Sequence, residues 1–390
     1  MHEPGPPRAT SVGRPVELAP RDPDPSGRYD WTLRDTPAES DGDVLEPGQT
    51  GRADDPVVHL HPDAPGTYVL TLEAPDGTHR QRVRVFGDER RDAAIRVPAS
   101  DLPVDDDAVD RVSVSWRHND RLLARDRPER DGDEWVYHAR IPPGRHAVGF
   151  LANDDRATEH RVTHEVDGPG RPRLSLDGRL EATAEADDVL VVAAEAGVPP
   201  ESATDPGDID VAFLVDDRDV DPETAERIER RADGRTLRVP LDDLGGAADG
   251  LRIHAVPHAG RHGAMETVRV DREPDGSRTV TDPHARPAWA DAPTVYEVYV
   301  RSFAGDTLST TFAEIERRLP YVEGLGVDAL WLTPVLASPT DHGYHVTDYF
   351  ETAADLGSRA AFESLVDACH AAGIRVIFDL VNNHTSRDHP

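Results

Sequence analysis

Apolar and polar positions along this chain repeat with two different periods, and the change of period divides it. From Tyr29-Asp30-Trp31-Thr32-Leu33 to Arg82-Val83-Arg84-Val85-Phe86, short runs alternate every second residue. The same pattern returns at 112–116, 135–141, 146–150, 189–192, 210–214 and 251–256, with turn signals such as Asp76-Gly77 and Pro142-Pro143-Gly144 between runs. Period-two patterning punctuated this way predicts antiparallel β-sandwiches. From about residue 287 the pattern changes. Residues 295–300 read as a strand, and 312–325 are helical in period, with Ile315, Leu319 and Val322 on one face and Gly326 closing the helix. A second strand at 327–332 leads into a long loop, 334–358. Ser358 is a natural N-cap for a helix over 359–372, Gly373 ends it, and 374–378 is a third strand. Buried strands alternating with helices predict parallel βα units. The expected organisation is a flexible leader at 1–27, sandwiches at 28–88, 92–168 and 171–282, and a βα segment at 287–390.

Charge narrows the partners. The 390 residues carry 75 acids against 43 bases, every base an arginine, for a formal net charge of −32. Such a surface repels nucleic acid and anionic membrane, and repels itself unless salt screens it. The regular apolar alternation argues against a disordered acidic chain. Cys369, the single cysteine, falls in a predicted helix, excludes an intrachain disulfide and reads as a buried, inert thiol. No apolar run approaches the roughly 18–20 residues of a membrane span. The start, Met1-His2-Glu3-Pro4-Gly5-Pro6-Pro7, lacks the build of a signal peptide, so a soluble cytoplasmic protein is expected.

Several patterns are candidate sites. Asp217, Asp219 and Asp221 have alternate spacing, but Pro222 and Ile228 stand where a calcium loop needs Gly and Glu. His254, His258 and His262 are four apart, but Pro257 and Gly260 exclude the helix that would align them. Both sets read as solvated surface. Trp116 and Trp135 are candidate sugar platforms, with core the favoured reading. The carboxyl end of the third strand differs: Asp379-Leu380-Val381-Asn382-Asn383-His384 packs an acid, two amides and an imidazole onto a strand end, where a parallel barrel holds substrate.

Four resemblances follow, three from quoted residues and one from composition. A tryptophan strand, then Pro62-Asp63-Ala64-Pro65-Gly66-Thr67-Tyr68 and Asp76-Gly77, resembles the immunoglobulin-like PKD repeat. The tryptophan strand at 135–141, Pro142-Pro143-Gly144 and the aromatic strand at 146–150 resemble the early-set or starch-binding modules that precede glucan-active barrels. The acidic, lysine-free composition resembles proteins of salt-loving archaea. The strongest resemblance rests on four pieces in order: Val295-Tyr296-Glu297-Val298-Tyr299-Val300-Arg301-Ser302-Phe303, Gly326-Val327-Asp328-Ala329-Leu330-Trp331-Leu332-Thr333-Pro334, His342-Gly343-Tyr344-His345-Val346-Thr347-Asp348-Tyr349 and Asp379-Leu380-Val381-Asn382-Asn383-His384. Together they resemble the α-amylase superfamily of retaining, α-glucan-active enzymes.

That resemblance implies a multidomain chain: immunoglobulin-like β-sandwiches, then the first three βα units of a (β/α)8 TIM barrel. It implies that His384 hydrogen-bonds a sugar next to the scissile bond, that Tyr344 presents its ring to that sugar, and that His342 lines the pocket. Asp379 would orient its neighbours, and Asn383 would be a calcium ligand; no organic cofactor is implied. Asp348 is expected to fix its own loop, His345 to be solvated, and Asn382 has no assigned role. The nucleophile and the acid/base would come from the fourth and fifth strands, beyond Pro390, so the 390 residues alone are expected to be inactive on α-glucan. Hydrolase and transferase chemistry both stay open. The alternatives are a non-catalytic polysaccharide- or protein-binding chain with a barrel stub and, less favoured, a surface protein of immunoglobulin-like repeats.

Overall fold

The computed structural model describes residues 2–24, 27–48, 56–119, 121–123, 125–182, 188–200, 202, 204–241, 250–303 and 311–389. The chain divides into two compact units, Met1–His284 and Ala285–Pro390.

In the first unit, three pairs of sheets each close on a core of their own. In the first pair, a four-stranded sheet in the order Arg8–Ser11, Gly77–Phe86, Gly66–Ala74, Asp30–Asp35 packs with a three-stranded sheet of Val16–Leu18, Val58–Leu60 and Leu45–Pro47. Alternation along Gly66–Ala74 buries Tyr68, Leu70 and Leu72 against Leu18, Trp31, Leu60 and Val83. The flexible leader expected at 1–27 is corrected here. Arg8–Ser11 pairs in parallel with Val83–Phe86 and Val16–Leu18 pairs with Val58–Leu60, with Thr10 and Ser11 buried. Proline-rich composition signalled a leader, but the segment covers the edge of Gly77–Phe86, which would otherwise present unpaired backbone groups.

The second pair joins Glu129–Asp131, Glu134–Ile141 and Arg91–Pro98 to a sheet of His160–Val166, Gly144–Ala152 and Val112–Ser115. Its core holds Ile95, Val97, Val114, Ile141, Val148 and Phe150. Trp116 is buried in this core, and Trp135 packs against it beneath the Arg130 guanidinium, 5.3 Å from the ring centroid. Neither ring is a free platform for sugar.

The third pair sets Arg173–Glu181, Val189–Gly197, Thr236–Pro240 and Ala232–Asp233 against Asp210–Val215, Gly250–His258, Glu266–Arg272 and Arg278–Thr281. A helix, Pro222–Glu229, is inserted, and Asp221 caps it by accepting from the Thr224 backbone N–H at 3.0 Å. The solvated-surface reading of the spaced aspartates and histidines is corrected in part: Asp221 is exposed as expected, but the side chains of Asp217, His254 and His262 are buried. Asp216 is buried as well. Arg82 of Gly77–Phe86 bridges Asp217 (2.6 Å) and Glu229 (2.8 Å) and donates to the Val215 carbonyl. Arg218 holds Asp216 at 2.6 Å, and His254 bonds Asp216 at 3.1 Å and Thr267 at 2.9 Å. The countercharge of Asp216 is local, but that of Asp217 comes from a strand more than 130 residues away, which no local spacing reveals.

The second unit carries three parallel strands in the order Val295–Val298, Ala329–Leu332, Arg375–Phe378, aligned as Glu297, Trp331, Ile377 across the sheet. Helices Thr311–Gly324 and Arg359–Ala371 cover one face, burying Phe312, Ile315, Leu319, Val322, Leu365 and Cys369 against Val298, Leu330 and Leu332. The Ser358 hydroxyl caps the second helix by accepting from the Ala361 N–H at 3.3 Å. Two boundaries shift. The first strand stops at Val298 and 300–303 turns helically, while the long loop contains a ribbon of Leu336–Ala337 and Asp348–Thr352. Cys369 is free and fully buried, and burial pushes its thiol up to about 11, consistent with an inert core thiol. No helix among the described residues is long and apolar enough to cross a membrane.

Candidate functional site at the strand ends of the second unit

Two loops meet at the carboxyl end of the sheet. One follows Ala329–Leu332 and the other follows Arg375–Phe378. Gly343 bends the first at φ +78, and a Cβ there would lie 2.6 Å from the Pro334 carbonyl oxygen, so only glycine lets the loop fold onto the strand end. The second loop is tethered to it. Val346 is fully buried with Val381 and Leu336, Ser386 N–H donates to the Val346 carbonyl (2.9 Å), and the Tyr349 hydroxyl donates to the Val381 carbonyl at 2.6 Å. Tyr299 holds the loop from the first strand by donating to the Asp341 carbonyl at 2.9 Å.

These tethers gather the expected residues. Asp379, immediately after its strand, accepts a hydrogen bond from the Tyr344 hydroxyl at 2.9 Å. That bond, then partial burial, raises the Tyr344 phenol above its usual range, so the hydroxyl keeps its proton at neutral pH. The His342 ring stacks near Tyr344 with centroids 5.9 Å apart and a 26° interplanar angle. His345 stands edge-on to His342 at 4.9 Å and to His384 at 6.2 Å. Tyr344, His342, Asp379 and His384 therefore share one polar cluster, open to solvent; Tyr344 is 37 % exposed. His345, expected to be solvated and without a role, is the ring that joins the two histidines. Its place three residues from His342 in the same loop was the available signal. Tyr349 was also missed, because its carbonyl partner lies 32 residues along the chain.

Hydrogen bonding fixes what each imidazole presents. The Nδ1 of His342 accepts from the Tyr344 backbone N–H at 3.1 Å, so the neutral ring carries its proton on Nε2 as a donor. The Nδ1 of His384 lies 2.5 Å from the Asn383 side-chain oxygen, which places the proton on Nδ1 and leaves Nε2 as an acceptor. One donor, one acceptor, a carboxylate and an aromatic face suit a ligand whose hydroxyls both give and take hydrogen bonds. Asp348 accepts from the Phe350 N–H at 2.8 Å, a bond within its own loop.

Asn383 commits its side-chain oxygen to His384, and among the described residues no group of three or more His, Cys, Asp or Glu is placed to hold a metal. The same holds for Asp217, Asp219 and Asp221 and for the three spaced histidines.

Comparison with known proteins is consistent with this geometry. Residues 297–390 match the alpha amylase catalytic-domain family. Over 402 aligned residues the chain is 40 % identical to alpha-amylase MalA of Haloarcula japonica; the match spans all of this chain and 52 % of that protein, so the chain covers about half its length. Over 106 residues, 26 % of the chain and 19 % of the other protein, it is 42 % identical to an alpha-glucosidase of Pediococcus pentosaceus. Over 144 residues, 35 % of the chain and 24 % of the other, it is 38 % identical to trehalose synthase/amylase TreS of Mycobacterium tuberculosis. The homologues are thus α-amylases, trehalose synthases and glucosidases, and the segment that carries the polar cluster matches the α-amylase catalytic domain.

Proposed function

We propose that this chain is the amino-terminal part of a retaining glycosidase acting on α-glucans (starch, maltodextrin or cyclomaltodextrin), and that His342, Tyr344, Asp379 and His384 contact the sugar. The observation that carries the reading is the convergence of these four side chains, linked through His345 and the 2.9 Å Tyr344–Asp379 bond, at the ends of adjacent parallel strands. Tyr344 supplies an apolar ring face, and Asp379 holds that ring in place through its hydroxyl. Nε2–H of His342 donates to one sugar oxygen and Nε2 of His384 accepts from another hydroxyl. Glycosyl transfer builds positive charge on one ring, and fixed dipoles with a nearby carboxylate stabilise that charge. A retaining reaction also needs two carboxyl groups roughly 5–5.5 Å apart. The proposal assigns both to sequence following Pro390, so a 390-residue polypeptide binds glucan without cleaving it. Asn383 enters as one oxygen of a calcium set that the described residues do not complete. The paired sheets of the first unit are read as PKD-like and early-set-like modules, and the acidity as adaptation to salt in the cytoplasm.

The test is turnover of a malto-oligosaccharide by a longer version of the protein and its His384→Ala variant. Loss of a transition-state contact should lower turnover by about 10²–10³-fold. An unchanged rate removes His384 from the site.

A further inference from the structure

The sheet of His160–Val166, Gly144–Ala152 and Val112–Ser115 has a gap. Val112–Ser115 ends at Ser115, opposite Gly149, so it pairs only with the carboxyl-terminal part of the middle strand. A cavity of about 370 Å³ lies beside the uncovered part. Ala147 and Gly149 line it with almost no side-chain volume, and around them stand Arg117, Arg121, Arg145, Arg156 and Arg161 with a single carboxylate, Glu159. In a chain with 75 acids and 43 bases this local balance is inverted. Glu159 is already committed. Its Oε1 receives the Arg161 Nε–H at 2.8 Å and lies over Gly149, where a Cβ would come within 2.4 Å of it. Arg117, Arg145 and Arg156 form no ion pair among the described residues, and Glu165, directly across from Arg145, makes none with it.

His146 lines the cavity and is only 4 % exposed; its Nε2 bonds the Pro142 carbonyl at 2.8 Å, while its buried Nδ1 has no hydrogen-bond partner. A buried polar atom left unpaired costs stability unless a ligand or water satisfies it. Nearby His118 is held below the usual imidazole range, first by burial and then by the charges of Arg117, His146 and Arg14, as expected where positive potential concentrates.

We propose that this notch binds a small phosphate-bearing anion. Guanidinium forks match the spacing of phosphate oxygens and hold them through paired, charge-assisted hydrogen bonds. The cavity volume is that of a small-molecule site rather than a flat docking face. The small side chain of Ala147 leaves room for the anion beside the unpaired arginines Arg117, Arg145 and Arg156. The site is independent of the sugar cluster in the second unit and of the activity proposed for it.

Calorimetric titration of the full 390-residue chain with inorganic phosphate and with glucose 1-phosphate tests the idea, in a salt concentration that keeps the chain folded. Saturable binding is expected. Arg145→Ser combined with Arg156→Ser should weaken it at least about tenfold. Ala147→Glu, which places a carboxylate on the floor, should abolish it, while far-ultraviolet circular dichroism of both variants stays that of the parent. Tighter binding of the sugar phosphate identifies an ester ligand, and equal binding identifies free phosphate; both support the site. No saturable binding by the parent chain, or undiminished binding by the two variants, overturns it. Self-association that the double variant abolishes, without phosphate binding, would also overturn it and make the notch a contact between copies.

Discussion

The segment Asp216-Asp217-Arg218-Asp219 with His254, in the first unit, and the segment His342-Gly343-Tyr344-His345 with Asp379 and His384, in the second, have similar raw materials. Each brings acids and imidazoles together through a strand end and a distant partner. In the first, the acids are buried and ion-paired: Asp216 is bonded to Arg218 and His254, and Asp217 is bridged by Arg82 through one oxygen while its other oxygen has no hydrogen bond. In the second, the rings are open to solvent, and each of two histidines commits one nitrogen to the protein and leaves the other uncommitted. Burial in ion pairs separates a cluster that holds a fold from one that can hold a ligand, because a ligand needs accessible groups with hydrogen bonds still to make.

That contrast can be broken at its structural side first. Arg82→Ala leaves Asp217 only the longer contact to Arg80 at 3.3 Å and Glu229 only the Val215 N–H, and should cost about 3 kcal/mol. Urea unfolding would show it as a large drop in the transition of the first unit, and the paired change Arg82→Met with Asp217→Leu should cost less. A negligible loss for Arg82→Ala would make the network ornamental.

Acid sharpens the same point. Burial alone would raise the Asp216 carboxyl, but its hydrogen bonds from Arg218 and His254 outweigh burial and hold it well below the usual carboxylate range. Asp154 is lowered to about 2 by Arg127 and then Arg111. A carboxyl depressed in the folded state adds stability above its unfolded value of about 3.9 and loses it as pH falls toward the folded one. The melting temperature of the first unit should therefore fall between about pH 4 and pH 2, and Asp216→Asn should flatten that slope. A slope unchanged by Asp216→Asn would refute the assignment.

Smaller effects probe the open cluster. Tyr349→Phe removes the bond to the Val381 carbonyl and should cost about 1 kcal/mol, seen as faster amide exchange at 381–386 with the helices unaffected. Smallest is Ser358→Ala, about 0.5–1 kcal/mol, because the cap bond is long at 3.3 Å. Exchange in the first turn of Arg359–Ala371 reads it.

What was legible in the sequence was local. Ile315, Leu319 and Val322 mark a helix face, Ser358 and Gly373 bracket the next helix, and alternation along Gly66–Ala74 marks a half-buried strand, because these signals lie within one or two turns of chain. The cluster residues were legible through the order of four motifs. What was missed depends on distant partners. Arg8–Ser11 is a strand only because Val83–Phe86 has a free edge, and Asp217 is buried only because Arg82 reaches it from another sheet. His345 became visible only when two loops were brought together.

Histidine-detected NMR of the 390-residue chain, titrated with maltoheptaose, tests the central contrast most directly. The account predicts saturable shifts at His342, His345 and His384, with none at His254 or His262. Unmoved resonances in the second unit, or shifts confined to the buried histidines of the first, would contradict it.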